Sequence, residues 1–149
     1  MKIRKATTKD ARKISNLIRK CLTEVNSKTY SKKVIKGLYD FFTPSLILKN
    51  LKDRIILIAV EKINIIGTAS LKGDTAFTVF VNPKSHKKGI GKELMGKVEN
   101  LAKLKGYKKI KVPSSLNAVK FYKKIGYKIV KRIRSRNHGD TINMEKKLK

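Results

Sequence analysis

Two glycines one residue apart, Gly89 and Gly91, lie among lysines in the stretch His86-Lys87-Lys88-Gly89-Ile90-Gly91-Lys92. This stretch sits between a β-branched run that ends at Val81 and an apolar series that begins at Leu94. Such a segment suits an anion. Glycine lets backbone approach a ligand closely, and the start of a helix offers N–H groups with no partner of their own. The helix dipole, with Lys87, Lys88 and Lys92 around it, makes a pyrophosphate the natural guest. Taken alone, Gly-x-Gly reads more simply as an ordinary turn before a helix. The stretch is not a G-x-x-x-x-G-K-S/T phosphate loop, since one residue separates its glycines and neither Ser nor Thr follows Lys92. It also lacks the third glycine of a dinucleotide fingerprint.

The elements that must hold this loop follow from periodicity and punctuation. Lys2 to Ala6 is a short first strand. Thr7 with Asp10 three residues on resembles a capping box. Ala11, Ile14, Leu17, Ile18, Cys21, Leu22 and Val25 then recur at helical spacing, giving a helix from about Lys9 to Thr23. Ser31 to Leu51 is a second helical region, broken at Pro44 into two short pieces. Arg54 to Glu61, Ile65 to Leu71 and Thr75 to Val81 read as three strands joined by turns at Ile63-Asn64 and Gly73-Asp74. A helix carrying Leu94, Met95, Val98, Leu101 and Ala102 stops at Gly106. Lys109 to Val112 is a strand, after which Ser114 or Ser115 caps a helix with Ala118, Phe121, Tyr122 and Ile125 on one face. Tyr127 to Arg134 and Thr141 to Leu148 complete the chain. The order β-α-α-β-β-β-α-β-α-β-β, with no repeat or long linker, predicts one mixed-sheet α/β or α+β domain over residues 1–149.

Composition narrows the partners. Lys and Arg number 38 against 10 Asp and Glu, for a formal net charge of +28. Such a field favours polyanions, nucleic acid among them. Only 7 of the basic residues are Arg, however, and no nucleic-acid-binding module accompanies them, so a general lysine bias with solvated faces is the simpler reading. The single cysteine, Cys21, occupies an apolar helical position and reads as core packing. His86 and His138 have no Cys, Asp or Glu at metal-ligand spacing, so no metal is expected. The longest apolar run, Ile55 to Val60, is too short to span a bilayer, and the lysine-rich start lacks a leader's apolar stretch. A cytoplasmic protein with no membrane partner is expected, as monomer or homodimer.

Two motifs together resemble the GNAT superfamily of N-acetyltransferases. Its central motif runs valine, a proline two residues on, Arg or Gln three further, then two small residues flanking one position. Val81, Pro83, Gly89 and Gly91 match at that spacing, with His86 in the Arg/Gln position. The family's later motif is matched by Ala118, Phe121, Tyr122, Gly126 and Tyr127. Ser115 stands where the family has Asn, and Asn117 lies two residues on. The ending Asp140-Thr141-Ile142-Asn143-Met144 also looks like the family's last strand, so the resemblance runs from Lys2 to Leu148.

The resemblance implies acetyl transfer from acetyl-CoA to a primary amine by direct attack in a ternary complex, with splayed central strands admitting the pantetheine. The loop from His86 through Lys92 would hold the pyrophosphate, with Ser115 and Asn117 as further coenzyme contacts. Backbone N–H groups at Val79, Phe80 and Val81 would polarise the acetyl carbonyl. Read from the residues alone, Tyr122 is a core tyrosine. With the family match it becomes the acid that protonates the leaving thiolate. No general base is named. Asp74, Glu24, Asp40 and Glu61 read as solvated charges, and His138 borders the region where the family binds its acceptor. The acceptor is left open among a protein N-terminus, a lysine and a small amine. Two other readings stand beside this one: a basic nucleic-acid-associated binding protein, and a family member that binds the coenzyme but transfers weakly.

Overall fold

The computed structural model describes residues 1–149. Its strands are β1 (Lys2–Lys5), β2 (Ile55–Glu61), β3 (Asn64–Lys72), β4 (Thr75–Val81), β5 (Lys109–Ser115), β6 (Lys128–Ile133) and β7 (Thr141–Lys147). They form one sheet in the order β1-β2-β3-β4-β5-β7-β6. All neighbours are antiparallel except β4 and β5, which run parallel. The helices are α1 (Ala11–Glu24), α2 (Lys32–Phe41), α3 (Pro44–Leu51), α4 (Ile90–Leu104) and α5 (Val119–Lys124).

Alternation along the strands sends side chains to both faces, and both faces are covered. On one side Ile56, Ile58 and Ile65 pack against Ile14, Ile18, Leu22, Ile35 and Ile47 of α1, α2 and α3. On the other, Leu57, Ala69 and Leu71 pack against Leu94, Met95 and Val98 of α4, together with Tyr122, Tyr127 and Met144. A central strand buried on both faces reads as a near-continuous apolar run, as β2 does. Gly67 on β3 allows α4 to lie close, because a Cβ there would come within 2.9 Å of Leu94 Cδ1.

Several expected boundaries move for physical reasons. The first helix begins with a 3₁₀ turn, Thr8–Asp10, so the regular α1 starts at Ala11. Asp10 supplies one half of the capping box, accepting from the Thr7 N–H at 2.8 Å. It also takes a bidentate pair from Arg4 of β1 at 2.9 and 3.0 Å. The break at Pro44 falls as expected: Pro44 is the first residue of α3, where its missing N–H costs nothing, and Thr43 caps the helix through Leu46 N–H. Strand β5 runs past Val112 through Pro113 to Ser115, in register with β7 throughout. Proline is tolerated in a strand where its nitrogen faces no partner, and the side toward β4 is open. Ser115 opens a 3₁₀ turn, Leu116–Ala118, without accepting a capping bond, and Ser114 Oγ donates to the Ser115 carbonyl. The expected serine cap is therefore not made.

The Arg4 guanidinium, ahead of smaller contributions from Thr7, holds the Asp10 carboxyl below the usual carboxylate range against the opposing effect of its own burial. A depressed native value means the carboxylate stabilises the fold above its unfolded pKa, about 4, and loses that effect as pH falls through the lower native value. Asp10→Asn is expected to cost about 1–2 kcal/mol at neutral pH. The difference from wild type should shrink in denaturant melts carried to acid pH; a constant difference down to pH 2 would contradict the pairing.

Candidate active site

Strands β4 and β5 meet at one register pair, Thr75↔Lys111, and then part. The wedge between them opens into a cavity of about 900 Å³. Its walls come from β4, β5, α5, the loop before α4, the end of α1 with the segment that follows it, and the β6–β7 loop. Val79, Phe80, Val81, His86, Lys87, Gly89, Ile90, Gly91, Lys92, Ser115, Asn117 and Tyr122 all line it. Of the residues expected at the site, only Lys88 has a side chain outside the lining.

The loop before α4 is built to present donors. Lys87 and Gly89 both take positive φ, 70° and 77°, and a Cβ at Gly89 would meet nothing, so that glycine serves the backbone turn. Gly91 has a different reason: a Cβ would come within 3.0 Å of the Phe121 ring. No backbone N–H from Lys87 through Lys92, Lys88 included, has an acceptor within the protein. Lys87, Lys92 and Lys124 line the same end and form no ion pair. Ser85 is 8% exposed, lines this end, and its hydroxyl makes no hydrogen bond within the protein. His86 lines the cavity and also anchors the loop. Its Nε2 lies 2.9 Å from the Val81 carbonyl, which only accepts, so that nitrogen carries the proton and the ring ties the loop to the end of β4.

Strand β4 carries a distortion that the sequence does not announce. Thr78 has φ of 54°, costly for a β-branched residue, at the point where the β3–β4 register shifts. Ser70 pairs with Phe77 and Thr68 with Phe80, which leaves Thr78 and Val79 with no register partner on β3 or β5. Both residues line the cavity. Cys21 contributes more than packing: its Sγ donates to the Val81 carbonyl at 3.3 Å, and burial pushes the thiol up to about 12, so it remains a neutral donor.

Tyr122 projects from α5 into the core, stacked edge-on between Phe121 and Tyr127 and 4% exposed. Its hydroxyl has no partner in the protein, yet no fully enclosed polar atom lacks one, so that oxygen opens to the cavity it lines. Burial raises the phenol above its ordinary value and keeps it protonated. Neighbouring Tyr127 differs, donating to Glu99 at 2.7 Å.

The far end of the cavity is closed by Tyr30, which the sequence did not single out. Its hydroxyl donates to the Asp140 carbonyl at 2.6 Å and accepts the Leu116 N–H at 2.8 Å. One side chain thus joins the helical wall, the β6–β7 loop and the turn after β5. His138 of that loop lines the cavity, its Nδ1 3.4 Å from Ser135 Oγ. No Asp or Glu lines the cavity. Asp74 pairs with Lys111, Asp40 with Lys36 and Asp140 with Arg132.

A parted parallel strand pair, a bulge beside it and a donor-rich loop at a helix start define an acyltransferase-type site. The sequence pattern of the acetyltransferase (GNAT) domain matches residues 24–148, and the chain belongs to that family. No curated protein matches it significantly by sequence. Among solved structures, a GCN5-related N-acetyltransferase from Rhodopseudomonas palustris superposes with a TM-score of 0.92 at 24% identity, over 99% of this chain and 95% of that one. The PaiA N-acetyltransferase from Thermoplasma acidophilum, solved in complex with coenzyme A, gives 0.84 at 24% identity over 98% of both chains. A GNAT acetyltransferase from Staphylococcus aureus Mu50 gives 0.78 at 19% identity over 99% of both. The mixed sheet with its splayed centre is the family fold.

Removing the Tyr30 hydroxyl leaves a part-buried amide and a carbonyl without partners. Tyr30→Phe is expected to lower stability by about 1–3 kcal/mol and to raise amide exchange at Leu116. A melting temperature and exchange rate equal to wild type would show that the clasp does not hold the two walls.

Proposed function

We propose that this protein transfers an acetyl group from acetyl-CoA to a primary amine, the amine attacking directly while both substrates are bound. The observation that carries this reading is the unbroken run of unpartnered N–H groups from Lys87 through Lys92 at the mouth of a cleft into which Tyr122 presents a free hydroxyl. A relative with the same fold binds coenzyme A.

Acetyl-CoA supplies an activated thioester. Everything else falls to the chain. The Lys87–Lys92 donors, with the Lys87, Lys92 and Lys124 charges and the Ser85 hydroxyl, hold the pyrophosphate. The gap between β4 and β5 takes the pantetheine in extended form, where strand edges offer it hydrogen bonds. The backbone N–H groups of the bulge at Thr78 and Val79, which have no register partner, face the oxygen on which negative charge gathers as nitrogen bonds to the acetyl carbon. As the carbon–sulfur bond breaks, Tyr122 gives the departing sulfur a proton or a strong hydrogen bond, a task that suits a phenol held protonated. Ser115 and Asn117 border the coenzyme side of the cleft. With no carboxylate in the lining, the amine arrives already neutral and sheds its second proton to water or to His138.

Acetyl-CoA at a hundredfold over its Kd should add about 2.7 kcal/mol and raise the melting temperature by roughly 5–10 °C. A saturating dose with no shift would end this reading. Tyr122→Phe should lower kcat about 10²-fold while leaving acetyl-CoA affinity unchanged, measured by stopped-assay turnover and titration. The ascending limb of kcat/KM against pH should move with the pKa of each acceptor amine. A fixed limb near pH 5–6 for every amine would instead reveal a carboxylate base.

A further inference from the structure

The acceptor end of the cavity has a chemistry of its own. Its apolar surface comes from Leu22, Val25, Leu38, Phe42 and Phe77. Among them stands Asn26, 8% exposed, in the turn after α1. Its backbone carbonyl accepts from Thr29 and Tyr30, but its side-chain amide makes no hydrogen bond in the protein. Since no fully enclosed polar atom lacks a partner, that amide reaches the cavity it lines. A nearly buried amide left unpaired is costly, so this one is kept for something that enters. An amide offers two donors and an acceptor side by side, and so suits a ligand that presents an acceptor and a donor together.

The charged side chains that line the cavity have one sign. Lys28 and His138 line the same cavity, and neither forms an ion pair. Arg134 and Arg136 of the adjoining loop are exposed and likewise unpaired. Of the carboxylates near this end, Asp140 accepts from Arg132 at 2.8 Å and from the Ser135 N–H at 2.9 Å, Asp40 binds Lys36 at 2.7 Å in a separate recess, and Glu24, at the end of α1, is exposed and outside the lining. A polycationic amine would find no carboxylate in the lining to meet it, against a net charge of +28.

We propose, building on the acetyltransferase reading, that the acceptor is a small amino acid with an aromatic or branched apolar side chain. Its α-amine is the nucleophile, and Asn26, Lys28 and His138 recognise its carboxylate. The Asn26 Oδ1 accepts an N–H of the amine, which aims the nitrogen lone pair, while the amide NH₂, the Lys28 ammonium and a ring N–H of His138 meet the carboxylate. The apolar body lies on Phe42, Phe77 and Leu38. In the balanced step nitrogen bonds to the acetyl carbon, the carbon–sulfur bond breaks, the sulfur leaves as the thiol, and the proton lost by nitrogen passes to solvent.

The test is isothermal titration of the protein saturated with coenzyme A, using L-phenylalanine, phenethylamine, L-phenylalaninamide and spermidine, paired with acetylation of the same four amines. L-phenylalanine is expected to bind at least tenfold more tightly than each of the others. Asn26→Ala, which breaks no bond of the fold, should leave the melting temperature unchanged. It should weaken L-phenylalanine at least tenfold and phenethylamine by a clearly smaller factor, and Asn26→Asp should turn the preference toward phenethylamine and spermidine. Equal or tighter binding of phenethylamine, the amide or spermidine to wild type would overturn the proposal, the amide pointing to peptide N-termini. An unaltered L-phenylalanine affinity in Asn26→Ala would overturn it too. Failure of acetyl-CoA to raise the melting temperature would strike the underlying reading instead, so the two failures are distinguishable.

Discussion

Nearly everything that makes this molecule useful depends on β4 and β5 parting after a single paired register. Had the parallel ladder continued, the backbone donors of β4 would be spent on β5 and the sheet would close. Instead β5 takes its pairing wholly from β7, and the sheet survives the split because its outer half is held by that antiparallel ladder. α4 packs across β2, β3 and β4 on one side of the wedge, while α5 follows β5 on the other. The cleft is therefore a stable defect between two well-packed halves.

Three devices keep the wedge at a fixed opening. The bulge at Thr78 bends β4 away from its neighbour at the cost of a left-handed backbone in a β-branched residue, a strain of order 1–3 kcal/mol that the surrounding sheet must hold. The Val81 carbonyl, where the wedge meets the loop, accepts from both Cys21 and His86. At the opposite end Tyr30 spans from the helical wall to the turn after β5 and the β6–β7 loop. Gly139 has to be a glycine there, since a Cβ would come within 2.6 Å of the Tyr30 ring.

The polar side chains of the cleft divide by what they lack. Tyr127 is satisfied by Glu99 and serves the core, whereas Tyr122, Ser85 and Asn26 are nearly enclosed and have no partner in the protein. All three line the one cavity: Ser85 before α4, Tyr122 on α5 and Asn26 after α1. Each opens to the cavity, where an incoming molecule can meet it.

The sequence by itself determined the parts whose physics is local. Hydrophobic periodicity marked the helices and strands, Pro44 marked its break, and Gly89 and Gly91 with their lysines marked the turn into α4. Each depends on backbone conformation or on neighbours within a turn. The motif spacing around Tyr122 was equally legible, because it lies within one short helix. What only the tertiary structure decided came from residues far apart in the chain. The bulge at Thr78 lies in a run of good strand formers and leaves no mark in composition. Tyr30 acts through partners 86 and 110 positions away. His86 is tied to the Val81 carbonyl as well as lining the cavity, and Asn26 looks like any turn residue until the cavity forms beside it. Whether a polar group is satisfied depends on everything packed around it, and no sequence window contains that.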